Sequence, residues 1–275
     1  MAERAKPARR PAGRGAGPRP AGPGRGARSS ETVWLFGLHA VADALANPRR
    51  RPRRLILTPN ARGRVAERLG EAALAGLEVE IETADPRRFA APLDPGSVHQ
   101  GAALEAEPLD WGPVEAACPA EDGAVVLALD RVTDPHNVGA VLRSAEVFGA
   151  KAVIAPARHS APETGALAKA ASGALERQPY LRPTNLGDAL AALAERGYRI
   201  VGLDGAAEAP LGAALDATGT APLALVLGAE GPGMRERTRG LCHALARIEA
   251  ASDFASLNVS NAAAVALYAA CRRRA

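Results

Sequence analysis

Ala124-Val125-Val126-Leu127-Ala128-Leu129 is an unbroken apolar run that ends at Asp130, and helical spacing follows over Val138–Phe148. A strand without a polar face is buried on both sides, as in a parallel sheet that helices cover. Further predicted strands are Ala152–Ala155, Arg199–Leu203, Leu223–Leu227 and Ala246–Ile248, and further predicted helices are Gly165–Leu175, Asp188–Arg196 and Arg235–Leu241. The alternation predicts a parallel α/β domain over residues 123–275, with its ligands at the carboxyl ends of the strands.

A second, smaller α/β unit is predicted over residues 31–107. Strand-like and apolar runs lie at Val33–Phe36, Arg54–Thr58, Glu78–Glu82 and Gly101–Glu107, and helical patterns lie at Leu38–Leu45, Val65–Leu77 and Pro86–Ala90. Residues 108–122 are interrupted by Pro and Gly, which is typical of a linker. The chain of 275 residues, 47% of them hydrophobic, is long enough for both units.

The first 30 residues differ in composition from the rest of the chain. They hold eight Lys or Arg and one acid, so the remainder has 26 basic and 29 acidic residues of the totals of 34 and 30. Such a basic segment with little apolar bulk predicts a disordered tail. It is either a polyanion-binding arm, with RNA the obvious candidate, or a solvated extension. The density of Pro and Gly disfavours an organellar transit peptide.

Composition excludes several classes of protein. The three cysteines form no C-x-x-C pair, and the five histidines have no metal-ligand spacing, so neither a disulfide framework nor a metal site is predicted. No apolar run approaches membrane-spanning length, and no signal-peptide core follows the N-terminus. We therefore expect a cytoplasmic protein without a metal or a membrane partner.

Two polar segments follow predicted strands of the larger domain. Asn137 stands where a helix N-cap would be, and Arg143 lies two turns further on. Arg143 either pairs with Glu146 or binds a phosphate. The loop around Glu230 is rich in glycine, but it matches neither the dinucleotide-binding order nor a phosphate-cradling loop.

A third polar segment, Ser256-Leu257-Asn258-Val259-Ser260-Asn261, opens the last predicted helix. That helix has no polar face until Arg272, so we expect it to be buried almost all round. Polar side chains at the mouth of a buried helix either cap it, with Ser260 the expected cap, or form a site. Ser256 has no evident His and Asp partners, so a hydrolase triad is not supported.

Taken in order, the three segments resemble the motifs of the SpoU family of SPOUT methyltransferases. They read Asp134-Pro135-x-Asn137-x-Gly139-x-x-x-Arg143, Leu227-Gly228-x-Glu230-Gly231-x-Gly233 and Ser256-Leu257-Asn258-Val259-Ser260. In the smaller unit, Gly37-Leu38-His39-Ala40-Val41 and His99-Gln100-Gly101 resemble the family's ribosomal-protein-like substrate-binding domain. This arrangement is most similar to the family members that methylate a guanosine ribose in bacterial 23S rRNA.

The resemblance implies S-adenosylmethionine-dependent 2′-O-methylation of a ribose in RNA. It further implies a homodimer whose C-terminal segment is threaded into a trefoil knot. Matching positions assign Gly228, Ile248 and Leu257 to the cofactor, and Asn137, Arg143, Glu230, Ser256 and Asn258 to catalysis or substrate binding. A transfer-RNA methyltransferase of the same family and a non-catalytic RNA-binding paralogue are the alternatives. The absence of a phosphate-loop motif disfavours another type of nucleotide enzyme.

Overall fold

The computed structural model describes residues 1, 32–85, 89, 93, 96–251 and 257–272. Apart from Met1, the predicted disordered tail lies outside these residues. Most of the predicted helix Pro86–Ala90 lies outside them as well, and so does Ser256.

The N-terminal part of the fold is a four-stranded sheet in the order β1-β4-β2-β3. Strand β4 is antiparallel to β1 and β2, whereas β2 and β3 are parallel. The predicted helix over 65–77 is wrong as a single helix, because Gly70, at φ +90°, ends the first helix and precedes a second. The elements are β1 (Val33–Phe36), α1 (Leu38–Ala46), β2 (Pro52–Leu57), α2 (Pro59–Leu69), α3 (Glu71–Ala75), β3 (Glu80–Thr83) and β4 (Ala102–Ala106).

The C-terminal part is a seven-stranded sheet in the order β7-β6-β5-β10-β8-β11-β9. Every pair of neighbouring strands is parallel, which confirms the predicted fold class. The short elements β7, β9, α8 and α4 were not predicted, and α4 lies within the predicted linker. The elements are α4 (Val114–Ala117), β5 (Val125–Asp130), α5 (Pro135–Val147), β6 (Ala152–Ile154), α6 (Gly165–Ala171), a 3₁₀ turn (Ala174–Glu176), β7 (Tyr180–Leu181), α7 (Leu186–Glu195), β8 (Arg199–Leu203), β9 (Ala209–Pro210), α8 (Leu211–Asp216), β10 (Leu223–Gly228), α9 (Glu236–Gly240), β11 (Ala244–Arg247) and α10 (Val259–Arg272).

Strands β5 and β10 lie side by side at the centre of this sheet, with Asp130 opposite Gly228 at their carboxyl ends. All six residues of β5 are buried, as expected of a strand that is covered on both faces. From β5 the chain first builds outward through β6 and β7, and it later returns to build the other half of the sheet. Ligands of open parallel sheets bind where the direction of building reverses.

The predicted helix over 165–175 is interrupted at its C-terminal end. Ser172, at φ +49°, and Gly173, at φ +86°, stop α6, and the chain resumes as the 3₁₀ turn. A Cβ at Gly173 would lie 2.4 Å from a carboxylate oxygen of Asp43 in α1. The interruption therefore coincides with the junction of the two sheets.

The prediction that α10 is buried almost all round is wrong for the single chain. One face packs in the core through Val259, Ala263 and Ala266. The opposite face includes Val265 and Tyr268, which are 42% and 55% exposed. The helix therefore has one apolar face that this chain does not cover.

A buried cluster of charges joins the N-terminal sheet to the C-terminal part. Arg50, whose side chain is fully buried, forms ion pairs with Glu163 and Glu176. Asn47 donates to the Glu176 carboxylate at 2.9 Å, and the backbone N–H of Leu109 donates to Glu163 at 3.2 Å. These contacts connect residues from both sides of the predicted linker, so the junction is specified by polar geometry as well as by apolar packing.

Within the part of the chain that the structure describes, no helix is both long and apolar enough to cross a membrane. The same residues contain no group of three or more His, Cys, Asp or Glu side chains that could hold a metal ion.

Candidate active site

A cavity of about 800 Å³ opens at the carboxyl ends of β8, β10 and β11. The loop Gly228–Met234 after β10 forms one wall, and the segment Ile248–Ala250 after β11 forms another. The start of α10 contributes Leu257 and Asn258. The three positions predicted to contact the cofactor, Gly228, Ile248 and Leu257, all line this cavity.

Asn258 links the three polar segments. Its side-chain amide donates to Oδ1 of Asn137 at 2.9 Å and to Oε1 of Glu230 at 2.7 Å. The same Glu230 oxygen accepts from the backbone N–H of Val259 at 3.4 Å. The structure thus brings Asn137, Glu230 and Asn258 together beside the cavity, although they are far apart in the sequence. Ser256, the remaining member of the third segment, lies outside the described residues.

The loop after β10 needs glycine for a steric reason. A Cβ on Gly228 would lie 2.2 Å from backbone atoms of both Gly233 and Met234, which is too close for any side chain. The N–H of Gly233 closes the turn on the carbonyl of Ala229 at 2.9 Å, and Gly231, at φ +80°, occupies a left-handed conformation. The glycine spacing therefore folds the loop back on its own strand and presents Glu230 to Asn258.

The prediction that Asn137 is a helix N-cap is wrong. Helix α5 begins at Pro135, and Asp134 is the cap, because its carboxylate accepts from the N–H of His136 at 3.0 Å. Proline at the first helical position explains the shift, since its missing N–H and fixed φ suit that position. Asn137 instead lies in the first turn, where its side chain is available to Asn258.

Arg143 is not part of the Asn258 cluster in this chain. Six residues along a helix correspond to about 240° of rotation, so Arg143 and Asn137 point in different directions. The alternative pairing with Glu146 is wrong as well, since Glu146 forms its ion pair with Arg177. The Arg143 side chain is exposed and has no hydrogen bond or ion pair with any residue that the structure describes.

Capping of α10 was assigned to the wrong residue. Asn258 is the cap, because its Oδ1 accepts from the N–H of Ser260 at 2.9 Å and its carbonyl accepts from the N–H of Ala262 at 2.9 Å. The hydroxyl of Ser260 also donates to Asn258 Oδ1, at 2.6 Å. Asn258 therefore both caps the helix with its oxygen and joins the polar cluster with its amide.

Two ion pairs near the cavity were not predicted. Asp204 follows β8, lines the cavity and pairs with Arg239. Asp130, at the end of β5, is fully buried and accepts from the side chain and backbone of Arg235 at 2.7 and 2.8 Å. The position of each Asp directly after an apolar strand was a usable signal, the same one that marked Glu230.

The cavity is suitable for the predicted cofactor. Its volume is within the range of about 300–1,000 Å³ that is usual for small-molecule sites. The apolar part of its wall is formed by Leu227, Ile248 and Leu257. Asp204 supplies a carboxylate that can accept hydrogen bonds from ribose hydroxyls. Since the backbone at Gly228 is free of side-chain atoms, polar main-chain groups of the loop can approach a ligand closely.

Two family profiles and several relatives match this chain. The profile of the SpoU rRNA Methylase family matches residues 124–268, and that for RNA 2′-O ribose methyltransferase substrate binding matches residues 34–111. A 23S rRNA (guanosine-2′-O-)-methyltransferase RlmB from Pseudomonas putida is 39% identical over 251 residues, which cover 89% of this chain and 98% of that protein. An enzyme of the same name from Ralstonia nicotianae is 40% identical over 247 residues, covering 89% and 97% of the two chains.

Solved structures share the fold. The SpoU methyltransferase AviRb from Streptomyces viridochromogenes, in complex with the cofactor AdoMet, has a TM-score of 0.73 to this chain and covers 88% of it, with 90% of its own chain matched. At 23% identity this likeness concerns the fold alone.

The parallel sheet, the cavity at its carboxyl edge and the matched substrate-binding region define the class as RNA-modifying methyltransferases. Within that class, the chain belongs to the SpoU rRNA methylase family.

Proposed function

We propose that this protein transfers a methyl group from S-adenosylmethionine to the ribose 2′-hydroxyl of a guanosine in 23S rRNA. The observation that carries the proposal is the Asn137–Asn258–Glu230 cluster beside the cavity. Support for the substrate comes from the relatives of 36–40% identity that bear this activity in their names and align along nearly their whole length.

S-adenosylmethionine, when bound, would supply a methyl group activated by the sulfonium sulfur, which passes to the attacking oxygen as the carbon–sulfur bond breaks and leaves neutral S-adenosylhomocysteine. Gly228, Ile248 and Leu257 would hold it in the cavity. Methyl transfer needs in-line attack, so accurate positioning of the ribose oxygen contributes much of the acceleration. Glu230 and Asn137, fixed through Asn258, provide acceptor and amide groups for orienting a ribose.

Because Arg143 lies outside the Asn258 cluster of its own chain and on the proposed dimer surface, we assign it to the site of the partner subunit, where it stabilises the negative charge that develops on the ribose oxygen. With a pKa above about 12, an arginine side chain is a poor general base, but it is a strong electrostatic stabiliser and phosphate ligand. Its exposed guanidinium has no competing partner among the described residues. A phosphate or a water then accepts the proton of the hydroxyl. Ser256, in the third motif, is assigned to substrate binding.

The same proposal includes assembly as a homodimer and a trefoil knot. Exposed apolar residues of α10 and α5 support the dimer. Tyr268 of α10 packs edge-on to Phe148 at the end of α5, and both Tyr268 and Val147, the residue before Phe148, are more than half exposed, so they form one uncovered apolar surface. Arg143 and Val147 are four residues apart and share a helical face, so a dimer on this surface would include Arg143.

The proposed domain bounds are 31–107 for the substrate-binding domain and 123–275 for the methyltransferase domain, with 108–122 as the linker. Activity on ribosomal RNA implies that the protein works in the cytoplasm.

The decisive experiment maps 2′-O-methyl groups in ribosomal and transfer RNA from cells with and without the gene. We expect one guanosine of 23S rRNA to lose its methyl group and to regain it with the wild-type protein. A change confined to transfer RNA would show that the substrate is transfer RNA and not 23S rRNA. No change in either RNA would favour the non-catalytic paralogue.

Arg143→Ala tests the assigned role of the arginine. We expect methylation in vitro to fall at least about 100-fold, as on loss of an oxyanion-stabilising donor, with S-adenosylmethionine affinity retained. Full turnover of this variant would contradict the mechanism.

A further inference from the structure

The carboxyl edge of the seven-stranded sheet is divided into two halves of different charge. On the cavity half, Asp204, Glu230 and Glu249 follow β8, β10 and β11. The nearby cations Arg235 and Arg239 are neutralised by ion pairs with Asp130 and Asp204. Because Asp204 is itself paired, the carboxylates of this half without an ion pair among the described residues are Glu230 and Glu249, which suit a cationic ligand. Arg247, at the end of β11, donates to the backbone carbonyls of Ala207 and Glu208.

The other half is basic. The loops after β5, β6 and β7 cover residues 131–134, 155–164 and 182–185, and their charged side chains are Arg131, Arg158, Arg182, Asp134 and Glu163. Both acids are engaged, since Asp134 caps α5 and Glu163 pairs with the buried Arg50. Among the described residues, none of the three arginines has an ion pair.

Two of these arginines are held in place with unused donors. Arg131, at φ +62°, adopts a left-handed conformation that is costly for a residue with a side chain, and its Nε is buried without a partner among the described residues. Arg182 donates from Nη2 to the carbonyl of Ala157 at 2.6 Å and also contacts the Tyr180 hydroxyl, while its Nε is buried with no hydrogen-bond partner among the described residues. Buried donors without partners are unfavourable and need an explanation, such as strain or a bound water or ion. In both arginines the rest of the guanidinium group makes no ion pair among the described residues.

The position of these loops indicates what the ligand is. Strand β5 adjoins β10, whose loop forms the cavity wall, and β6 and β7 follow outward in that order. Near its end the loop after β6 carries Glu163, which contacts Arg50 of the N-terminal part. The basic half thus extends from the active site to the junction with the substrate-binding region. Three neighbouring strands span about 10 Å, which is wider than a single phosphate group.

We propose that Arg131, Arg158 and Arg182 bind successive phosphates of the RNA strand that connects the target nucleotide to the segment held by the N-terminal sheet. The proposal deepens the proposed function and depends on it. Contacts to the backbone set the register of the RNA without reading its sequence. These arginines therefore govern affinity and placement of the substrate, whereas the methyl-transfer step belongs to the Asn258 cluster and Arg143.

The test measures binding of an in-vitro-transcribed 23S rRNA at several salt concentrations. The triple variant R131G/R158A/R182A removes the charges, and glycine suits the backbone at position 131. The control is R196A/R199A, which removes two arginines that are exposed and lie at the opposite edge of the sheet, before and at the start of β8. We expect the triple variant to bind at least about tenfold more weakly, with a salt dependence shallower by about 0.7–0.9 per lost contact.

Calorimetry with S-adenosylmethionine alone should give the wild-type affinity for both variants. The single variant R158A guards against misfolding, since Arg158 is exposed and makes no hydrogen bond or ion pair within the described residues. It should lower the salt dependence by about one contact. If the triple variant binds RNA like the control while the wild type methylates the transcript, the inference is wrong. If the wild type itself neither binds nor methylates 23S rRNA, the proposed function fails instead.

Discussion

Asn258 shows how one side chain can serve both the fold and the site. Its oxygen caps α10 and its amide joins Asn137 to Glu230. A glutamine would place the amide one methylene further out, and an aspartate would lack the donors and face Glu230 with a second negative charge. The residue type is therefore specified by two hydrogen-bond requirements at once.

Asn258→Ala is expected to reduce kcat/KM by about 10- to 100-fold, the value of one or two hydrogen bonds to a charged group. Loss of the cap should also lower the free energy of unfolding by about 1 kcal/mol. Methylation assays and thermal unfolding measure the two effects separately. Ser260→Ala is the control, because among the described residues its hydroxyl bonds to Asn258 Oδ1 alone, and the activity of this variant should stay near that of the wild type.

Gly228→Ala is expected to abolish S-adenosylmethionine binding and to destabilise the fold by more than about 1 kcal/mol, because the new Cβ overlaps the backbone of Gly233 and Met234. Gly205 lines the same cavity and has no atom within 4 Å of an added Cβ, so Gly205→Ala should retain cofactor affinity. Isothermal calorimetry compares the two variants. Equal affinities would show that the close approach at Gly228 is not needed.

At the scale of the elements, apolar strands were predicted well and helix ends poorly. A fully buried strand such as β5 is marked by its composition alone, so its position follows from the sequence. The break at Gly70 and the stop at Ser172 depend on single residues with positive φ inside otherwise helical patterns. The two-residue strands β7 and β9 are too short to show any periodicity.

The uncovered apolar face of helix α10 is the proposed dimer interface. Tyr268→Glu places a charge on its uncovered apolar face and is expected to convert the proposed dimer into a monomer. Light scattering at micromolar concentration measures the change, and methylation activity should fall with it. Tyr268→Phe keeps the apolar surface and should remain dimeric. A wild-type protein that is monomeric at these concentrations would contradict the proposed assembly.

For the whole molecule, the junction around Arg50 fixes how the N-terminal sheet meets the C-terminal part. One arginine there faces two carboxylates, the buried Glu176 and the largely buried Glu163. Burial raises the pKa of Glu163 above its ordinary value of 4.5, although Arg50 opposes that shift. The folded state therefore holds the Glu163 proton more tightly than the unfolded chain does.

The raised pKa of Glu163 makes the free energy of unfolding depend on pH. A carboxyl whose folded pKa is raised is most favourable when protonated, so its contribution to stability falls as pH rises from about 4.5 through the folded pKa. Glu163→Gln removes this titration. We expect the stability of the variant relative to the wild type to improve between acidic and neutral pH, as measured by urea unfolding. Parallel pH profiles of the two proteins would disprove the assignment.

The sequence alone determined the class of fold and the three polar segments, because buried strands and glycine-rich turns are local constraints that composition and spacing record. The family followed from the resemblance of those segments to its motifs. Only the tertiary structure decided which polar residues meet. It joined Asn137, Glu230 and Asn258, left Arg143 outside their cluster, and assembled the basic edge from Arg131, Arg158 and Arg182. Side-chain partnership depends on strand order and helix rotation, and neither is encoded in any single segment of the chain.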